Sequence, residues 1–366
     1  MKTSSDIADF AAEWPNMADR APPAFHVFQA RDYLQEWERS IGRARGAKLV
    51  FVRVGDERGP LMLFALALER RRGVRVACFP DGGVADYNAP VLFPRAGALS
   101  VAEMSAVWRR VGGLLPHFDA ALFDKVPESV GGVANPMRLL AQEPYSESGH
   151  VLELDGDWEA FAATRLHRPK DSRRKRRRLG ELGVLRFVVA DSAAERERLL
   201  DALIQQKTRR YLETRGVDGF NRPGYRAYFH ALTRRFGETG EAHLSGLELN
   251  GEMIAAHWGL VAAERFYCLM LSHAHGPWAQ YSPGQILVEE LIAWCYRAGL
   301  STFDLGIGDA QWKERLDQTR SRLWRAHLAH SFAGKAYIEA ARLKRALRAS
   351  TRPLEREPGL EGRWVA

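Results

Sequence analysis

Cysteine is scarce in this chain. Cys78, Cys268 and Cys295 are the only three in 366 residues, too few and too scattered for a disulfide framework or a zinc site. Each lies within an apolar strand or helix pattern and reads as a small buried hydrophobe. Long apolar runs are also missing. Spanning a bilayer takes ~20 residues, and the longest candidate, Leu61 to Leu68, has only the length of a buried strand. The opening MKTSSDIADF carries acids and no apolar core, so it does not read as a signal peptide. No Gly-x-Ser-x-Gly elbow or Ser-His-Asp spacing points to a covalent nucleophile. These absences lead us to expect a cytoplasmic protein with no metal, no transmembrane segment and no acyl-enzyme step.

What is present fits a two-domain globular chain. The length allows two full cores, and 46% apolar residues is ordinary for such a protein. The net charge of +8 is moderate but concentrated, because Lys170 to Arg178 reads KDSRRKRRR, seven bases in nine residues. On a helix these surround the whole cylinder and repel at i,i+3 and i,i+4 spacing. An anion that offsets the repulsion is expected: a nucleotide-phosphate donor, a transfer RNA, an anionic glycan or a membrane surface. No aromatics interleave the run, so base stacking is not supported there.

Residues 1–24 read as a polar, proline-containing lead, followed by a short helix at Tyr33 to Ser40. Strands are expected at Ala47 to Val54, Leu61 to Leu68, Val74 to Phe79 and Ala120 to Phe123. A helix at Ser100 to Leu115 presents Val101, Met104, Val107, Trp108 and Val111 at helical spacing. Beyond residue 150 the pattern predicts strand 151–154, helix 157–166, the basic helix 170–181, strand 184–189, and helices 192–213 and 223–236. Residues 335–350 form a basic amphipathic helix before a Pro/Glu/Arg tail. It reads first as packing on its parent domain and second as peripheral membrane contact.

Residues 243–313 are the most informative. Asn250-Gly251 between alternating runs signals a hairpin. Ser282 reads as an N-cap, Pro283 as the first helical residue, and Gln285 as the partner in a capping box. A helix start delivered by a meander offers an anion site through its dipole and unpaired N–H groups, and points to a phosphate-bearing donor held by Ser282, Gly284 and Gln285. FDLGIGD, Phe303 to Asp309, ends a strand with two glycines that permit close backbone approach, and Asp309 and Lys313 follow.

YSPGQ-I-L, then FDLG-G-D and a lysine, resembles the bacterial GNAT-type acetyltransferases of the CelD-like group linked to cellulose and exopolysaccharide synthesis. These are similar in turn to the Fem-type aminoacyltransferases. The basic segment from Ser172 with the turn at Glu181-Leu-Gly183, and Gly82-Gly83 to Asp86-Tyr87 and Pro90, agree with that likeness, which covers about residues 25–335. The orthodox GNAT phosphate run is not reproduced, since only Gly284 corresponds to its glycines. The resemblance implies a mixed α/β fold of two tandem GNAT-like domains with mainly antiparallel sheets. Their boundaries would be 25–150 and 151–334, with a basic helix and tail at 335–366. It also implies acetyl-CoA or another acyl-CoA as donor, acyl transfer in the second domain, and an amine acceptor such as an amino sugar.

Direct attack by an amine requires a base or relay for its proton, donors for the developing oxyanion, and alignment. Asp309 is the candidate base or amine-positioning acid, Lys313 a candidate anion ligand, and His257 a candidate relay. Against these stand an ordinary i,i+4 surface ion pair for Asp309 and Lys313, and a satisfied sheet histidine for His257. Arg173 and Arg177 are assigned to the donor. Tyr281, His273, Tyr267 and Asp86 are assigned to the acceptor, and Trp258, Trp278 and Trp312 offer further aromatic surface. Two alternatives stay open: a Fem-like enzyme using charged transfer RNA, and a non-catalytic scaffold of a polysaccharide-synthesis complex.

Overall fold

A computed structural model describes residues 1–19, 23–166, 169–316 and 318–350. The tail from residue 351 and a few positions of the sequence reading therefore lie outside the described residues. The chain divides into two compact units. Met1–Ser148 joins the segment that begins at Ser321, and Gly149–Arg320 forms the other unit. The strand Thr319–Ala329 from Ser321 onward and the helix Phe332–Ser350 thus count with the first unit, although they follow the second in sequence.

In the first unit Lys48–Asp56 and Gly59–Arg71 form a long hairpin, extended by Val74–Cys78. The 1–24 segment is not a polar lead. Lys2–Ser4 pairs with Phe51 to Arg53, and Ile7, Phe10, Trp14 and Met17 are buried. Trp14 meets Phe51 edge-on at 5.4 Å and donates from Nε1 to the Gln29 carbonyl at 2.8 Å. These four apolar residues are spaced 3, 4 and 3 apart, a helical i, i+3, i+7, i+10 pattern that the reading of residues 1–24 as a polar lead passed over. Helix Val101–Leu114 starts at a Ser100/Glu103 capping box and packs Met104 and Val111 into the core with Phe64, Phe118 and Phe123.

The second unit carries the meander. Leu185–Val189, Ala242–Leu249, Glu252–Ala262 and Arg265–His273 are successive antiparallel neighbours. Asn250 and Gly251 turn between the central pair with φ of 53° and 83°, as a primed hairpin turn requires. Helix Pro283–Arg297 buries Ile286, Leu287, Leu291, Ile292 and Cys295 in the core with Phe266 and Phe303. Each fully buried aliphatic side chain of this size contributes about 1.5–3 kcal/mol.

The strands of the two units repeat one pairing scheme. In the second unit three antiparallel pairings lead to Arg265–His273, which lies parallel to Thr302–Ile307, itself antiparallel to the end of Glu143–Glu153. In the first unit three antiparallel pairings lead to Val74–Cys78, which lies parallel to Ala120–Pro127, itself antiparallel to Thr319–Ala329. A single helix connects the parallel strands in each, Pro283–Arg297 in one and Val101–Leu114 in the other. The sixth strand is exchanged in sequence, since the first unit takes it from beyond the second. A tandem mixed α/β fold is therefore present, although no exact internal repeat marks it in the sequence.

Candidate functional site

The site begins where two parallel strands part. Arg265–His273 and Thr302–Ile307 pair only at Arg265↔Thr302, Phe266↔Phe303 and Tyr267↔Asp304. Immediately beyond, both strands are irregular. Opposite Gly259 the register slips so that Cys268 and Leu269 face one residue, and the register of Thr302–Ile307 against its other neighbour slips between Asp304 and Gly306. Bulges bend strands and strengthen their twist, which separates the two. Gly259 makes the first bulge possible. A Cβ there would lie 2.3 Å from the Tyr267 carbonyl oxygen. A parted parallel pair leaves backbone groups of both strands without a ladder partner. The Leu271 and His273 carbonyls accept instead from Lys207 and Arg209, each at 3.2 Å, and an extended ligand bearing amides can pair with the groups that remain.

At the mouth of the gap stands the start of helix Pro283–Arg297, and its geometry differs from the sequence expectation. Ser282 has φ 54° and ψ 56°, a left-handed conformation, and makes no side-chain cap. Left-handed backbone turns the hydroxyl away from the first-turn amides, so no capping box forms. Gln285 donates instead to Glu289 at 3.2 Å, while the Gln285 and Ile286 amides donate to the Ser282 carbonyl. Pro283 has no N–H, which leaves Gly284 to offer one at this terminus. Lys175 reaches Ser282, its Nζ lying 3.3 Å from Oγ. The helix start therefore carries an ammonium beside the positive end of the dipole. A Cβ on Gly284 would have only ordinary contacts, 3.8 Å from His273 and 4.0 Å from Leu271.

The basic helix, Pro169–Leu182, is less self-repelling than its sequence suggests. Arg174 and Lys175 pair with Asp171 at 2.7 and 3.1 Å, Arg177 and Arg178 share Glu181, and Arg176 pairs with Glu290. The Ser172 hydroxyl donates to Glu289, whose carboxyl is pushed up by burial. These ties to helix Pro283–Arg297 fix the basic helix beside the Ser282 turn. Among the described residues Lys170 and Arg173 have no ion-pair partner, and Arg177 is 70% exposed despite its 3.7 Å contact. Arg173 and Arg177 remain the exposed cations that the sequence assigned to a donor.

Beyond the parting, Gly306 and Gly308 adopt φ of 68° and 104°, conformations that favour glycine. Asp309 follows. Its Oδ1 lies 2.9 Å from His150 Nε2, and its Oδ2 accepts from Arg320 at 2.8 Å. His150 Nδ1 is 3.0 Å from the Gln318 side chain. Burial, and then the charge of Lys313, hold the His150 imidazole below its ordinary pKa. A neutral ring donates from Nε2 to the carboxylate. Lys313 is neither a surface partner of Asp309 nor a displayed cation. It is buried, and its Nζ donates to the carbonyls of Gly306 and Ile307 at 3.0 and 2.8 Å. It satisfies carbonyls at the strand end that would otherwise lack partners.

Three other sequence candidates are placed differently. His257 is fully buried in an aromatic cluster, stacked on Phe266 at 5.3 Å and 5.7 Å from His243, so it does not face an open site. Tyr267 is buried at the last parallel pair and presents no acceptor surface. Asp86 belongs to the first unit, where it is buried near Lys125. His273 and Tyr281 keep partial exposure and flank the helix start. His273 Nδ1 donates to the Ala274 carbonyl at 3.2 Å, which leaves Nε2 as the acceptor nitrogen. Burial lowers its pKa, and the charges of Arg210 and Arg209 lower it further. Trp258 is buried, while Trp278 and Trp312 are partly buried against the core.

The sequence reading missed His150, Gln318, Arg320, Lys175 and Gly259. A glycine inside a strand pattern is a recognised sign of a bulge and could have marked Gly259. Lys175 lies inside the basic run that the sequence marks, without being singled out, and the other three carry no local signal.

The first unit repeats the parallel pair but fills its gap. Val74–Cys78 and Ala120–Pro127 pair through Cys78↔Leu122. Beyond that point the 79–90 segment occupies the edge. Asn88 donates from its amide to the Lys125 carbonyl at 3.0 Å and from Nδ2 to the Asp124 carbonyl at 3.0 Å. Lys125 pairs with Asp81 at 2.8 Å and donates to the Ala85 carbonyl at 2.8 Å.

Comparison with known proteins fits this geometry. Residues 167–314, all within the second unit, match the family model described as "Acetyltransferase (GNAT) domain". No curated protein matches the chain significantly. Among solved structures the chain is similar to FemX, with a TM-score of 0.58 and 12% identity over 90% of this chain and 98% of that one. It is also similar to the C-terminal domain assigned to a lysylphosphatidylglycerol synthetase from Agrobacterium fabrum, with a TM-score of 0.51 and 14% identity over 85% and 97%. A conserved Bacteroides thetaiotaomicron protein of unknown function gives a TM-score of 0.51 at 11% identity over 89% and 97%. At these identities the likeness is one of fold. The second unit has the fold of a GNAT-type acyltransferase. Among the described residues no group of three or more His, Cys, Asp or Glu side chains could hold a metal ion, and no helix is long and apolar enough to cross a membrane.

Proposed function

We propose that the second unit is an N-acyltransferase that moves an acyl group, most simply acetyl, from an acyl-CoA to an amine. The observation that carries this reading is the parting of Arg265–His273 from Thr302–Ile307 beside a helix start that holds Lys175. A CoA thioester is a linear chain with two amides and a pyrophosphate. The parted strands suit the amides, and the Gly284 N–H, the helix dipole and Lys175 suit the phosphates. Arg173 and Arg177, two positions either side of Lys175, add exposed cationic surface on the far flank of the same helix.

In the proposed step the amine lone pair attacks the thioester carbonyl, the C–N bond forms, the C–S bond breaks, and the thiolate leaves and takes a proton. The amine's own proton passes to a base. Asp309 has both oxygens engaged by His150 and Arg320, which suits it to hold and orient a protonated or hydrogen-bonding amine. His273 keeps an acceptor nitrogen and a lowered pKa at the helix start, which suits it to take the proton. An acceptor from envelope or exopolysaccharide synthesis, such as an amino sugar, follows from the CelD-like resemblance alone.

A Fem-like reading, with charged transfer RNA as donor, draws on exposed Lys170, Arg173 and Arg177 beside the same turn. A non-catalytic scaffold needs neither donor. Calorimetric titration with acyl-CoAs of several chain lengths tests the proposal. Saturable binding that Lys175→Glu weakens at least about tenfold is expected. Absence of binding by every acyl-CoA to folded protein would rule it out.

A further inference from the structure

The helix Phe332–Ser350 has two apolar faces. One is used. Gly334 packs so closely that a Cβ would lie 1.8 Å from the Asp119 carbonyl oxygen, and Ile338, a turn further on, is 3% exposed. Ser331 Oγ donates to Asp119 at 2.7 Å, and Arg345 pairs with Glu143 at 2.7 Å. These contacts fix the rotation of the helix about its axis.

The other face points outward. Phe332 is 88% exposed, Leu343 63% and Leu347 57%. With 3.6 residues per turn these three align with Ala336 and Ala340, also exposed, in one stripe along the helix. Because Gly334, Ile338 and Arg345 hold the opposite side, the helix cannot roll to bury the stripe. Exposed lysines flank it, Lys335 along one border and Lys344 along the other. Glu339, the one acid between residues 332 and 347, lies on the Lys335 border and is paired with Arg342 at 2.9 Å. The border charge that remains in excess is therefore positive.

We propose that this face docks the protein in the plane of a membrane bearing anionic phospholipid. An exposed apolar stripe bordered by cations matches the boundary between acyl chains and negative headgroups. A second copy of the chain fits less well. A two-fold pairing of the stripe would bring Lys335 and Lys344 of one copy against those of the other. This proposal is independent of the acyl-transfer reading.

Co-sedimentation of the full chain tests it, with vesicles of phosphatidylcholine alone or mixed with phosphatidylglycerol. Binding to the mixed vesicles is expected, with affinity at least about tenfold weaker for the neutral ones. Phe332→Glu with Leu343→Glu should lower binding to the mixed vesicles by at least about tenfold. The double change Lys335→Gln, Lys344→Gln should lower it by about tenfold and shrink the preference for phosphatidylglycerol. Both variants change exposed positions, so their melting temperatures should stay close to that of the parent. No binding to mixed vesicles overturns the proposal, as does binding that neither variant weakens. It is equally overturned if light scattering finds a dimer that the Phe332/Leu343 variant dissociates while vesicles capture nothing.

Discussion

Asp309 Oδ1 and His150 Nε2 are 2.9 Å apart, joining a loop just beyond the parted strands to a strand 159 positions earlier in the chain. The imidazole is buried and held neutral, so it donates, and Arg320 binds the second carboxylate oxygen. The carboxylate is thereby fixed in place by two donors from different segments.

If Asp309 orients the amine or its proton, Asp309→Asn should lower turnover by ~10²-fold or more while donor affinity barely changes. His150→Phe removes the donor that positions the carboxylate and should raise KM for the amine as well as lower kcat. Steady-state kinetics with the amine varied at saturating donor separates the two effects. Full turnover by the asparagine variant at every pH tested rules the role out.

His273 gives a pH prediction with a definite sign. Its folded pKa is lowered by burial, with Arg210 and Arg209 adding to the effect and Glu213 opposing it. A base must be deprotonated to act. The rate should therefore be flat above the ordinary histidine value of ~6.5 and fall only in more acid solution. His273→Gln should lower the plateau and remove that acid limb. An acid limb that persists unchanged in His273→Gln would exclude His273 as the base.

The donor site can be probed without activity. Lys175→Glu places a carboxylate beside Ser282 and should weaken acyl-CoA binding at least about tenfold, close to 1.4 kcal/mol. A Cβ at Gly284 meets only ordinary contacts, so Gly284→Ala tests steric access for the donor rather than folding. The first unit's gap is filled by Asp81 to Asn88, so calorimetry should give one donor per chain. A second site of similar affinity would contradict that assignment.

Salt dependence separates the donor classes. Transfer RNA contacts many phosphates, and each single-strand contact adds ~0.7 to the logarithmic salt slope. A CoA ligand should give a shallow slope, and that is the expected result. Charge reversal belongs at Arg173 and Arg177, since Arg176 is committed to Glu290 and its reversal would disturb the fold. Tight binding of charged transfer RNA with a steep slope, lost on reversing Arg173 and Arg177, would favour the Fem-like reading.

His243 is buried beside Trp294, with ring centroids 4.1 Å apart, and burial pushes its pKa from 6.5 down to about 3. Between those values the unfolded chain binds a proton that the folded chain does not. Stability should therefore fall as pH drops below ~6.5, with a limiting slope of about 1.4 kcal/mol per pH unit from this group. His243→Phe should flatten that part of the curve in denaturant titrations at neutral and mildly acid pH. An unchanged dependence would show that His243 does not set it.

The sequence by itself determined the elements whose signals are local. Alternation and Asn250-Gly251 fixed the meander, because a primed turn needs residues that accept positive φ. Apolar spacing from Val101 to Val111 marked a helix, and the glycines of FDLGIGD marked a strand end that breaks regular pairing. The composition of Lys170 to Arg178 marked a cationic helix. Tertiary structure decided what these elements became. Only packing shows that Lys175 of that helix stands over Ser282, that Lys313 turns inward to strand carbonyls, and that His257 lies under a helix. Ile7, Phe10, Trp14 and Met17 carry a helical spacing in the sequence, but only packing shows what that face meets, Trp14 lying edge-on against Phe51. The gap between the strands is itself non-local. It exists because two bulges, one permitted by Gly259 and one just past Asp304, bend neighbouring strands apart after Tyr267. Neither strand alone encodes that separation.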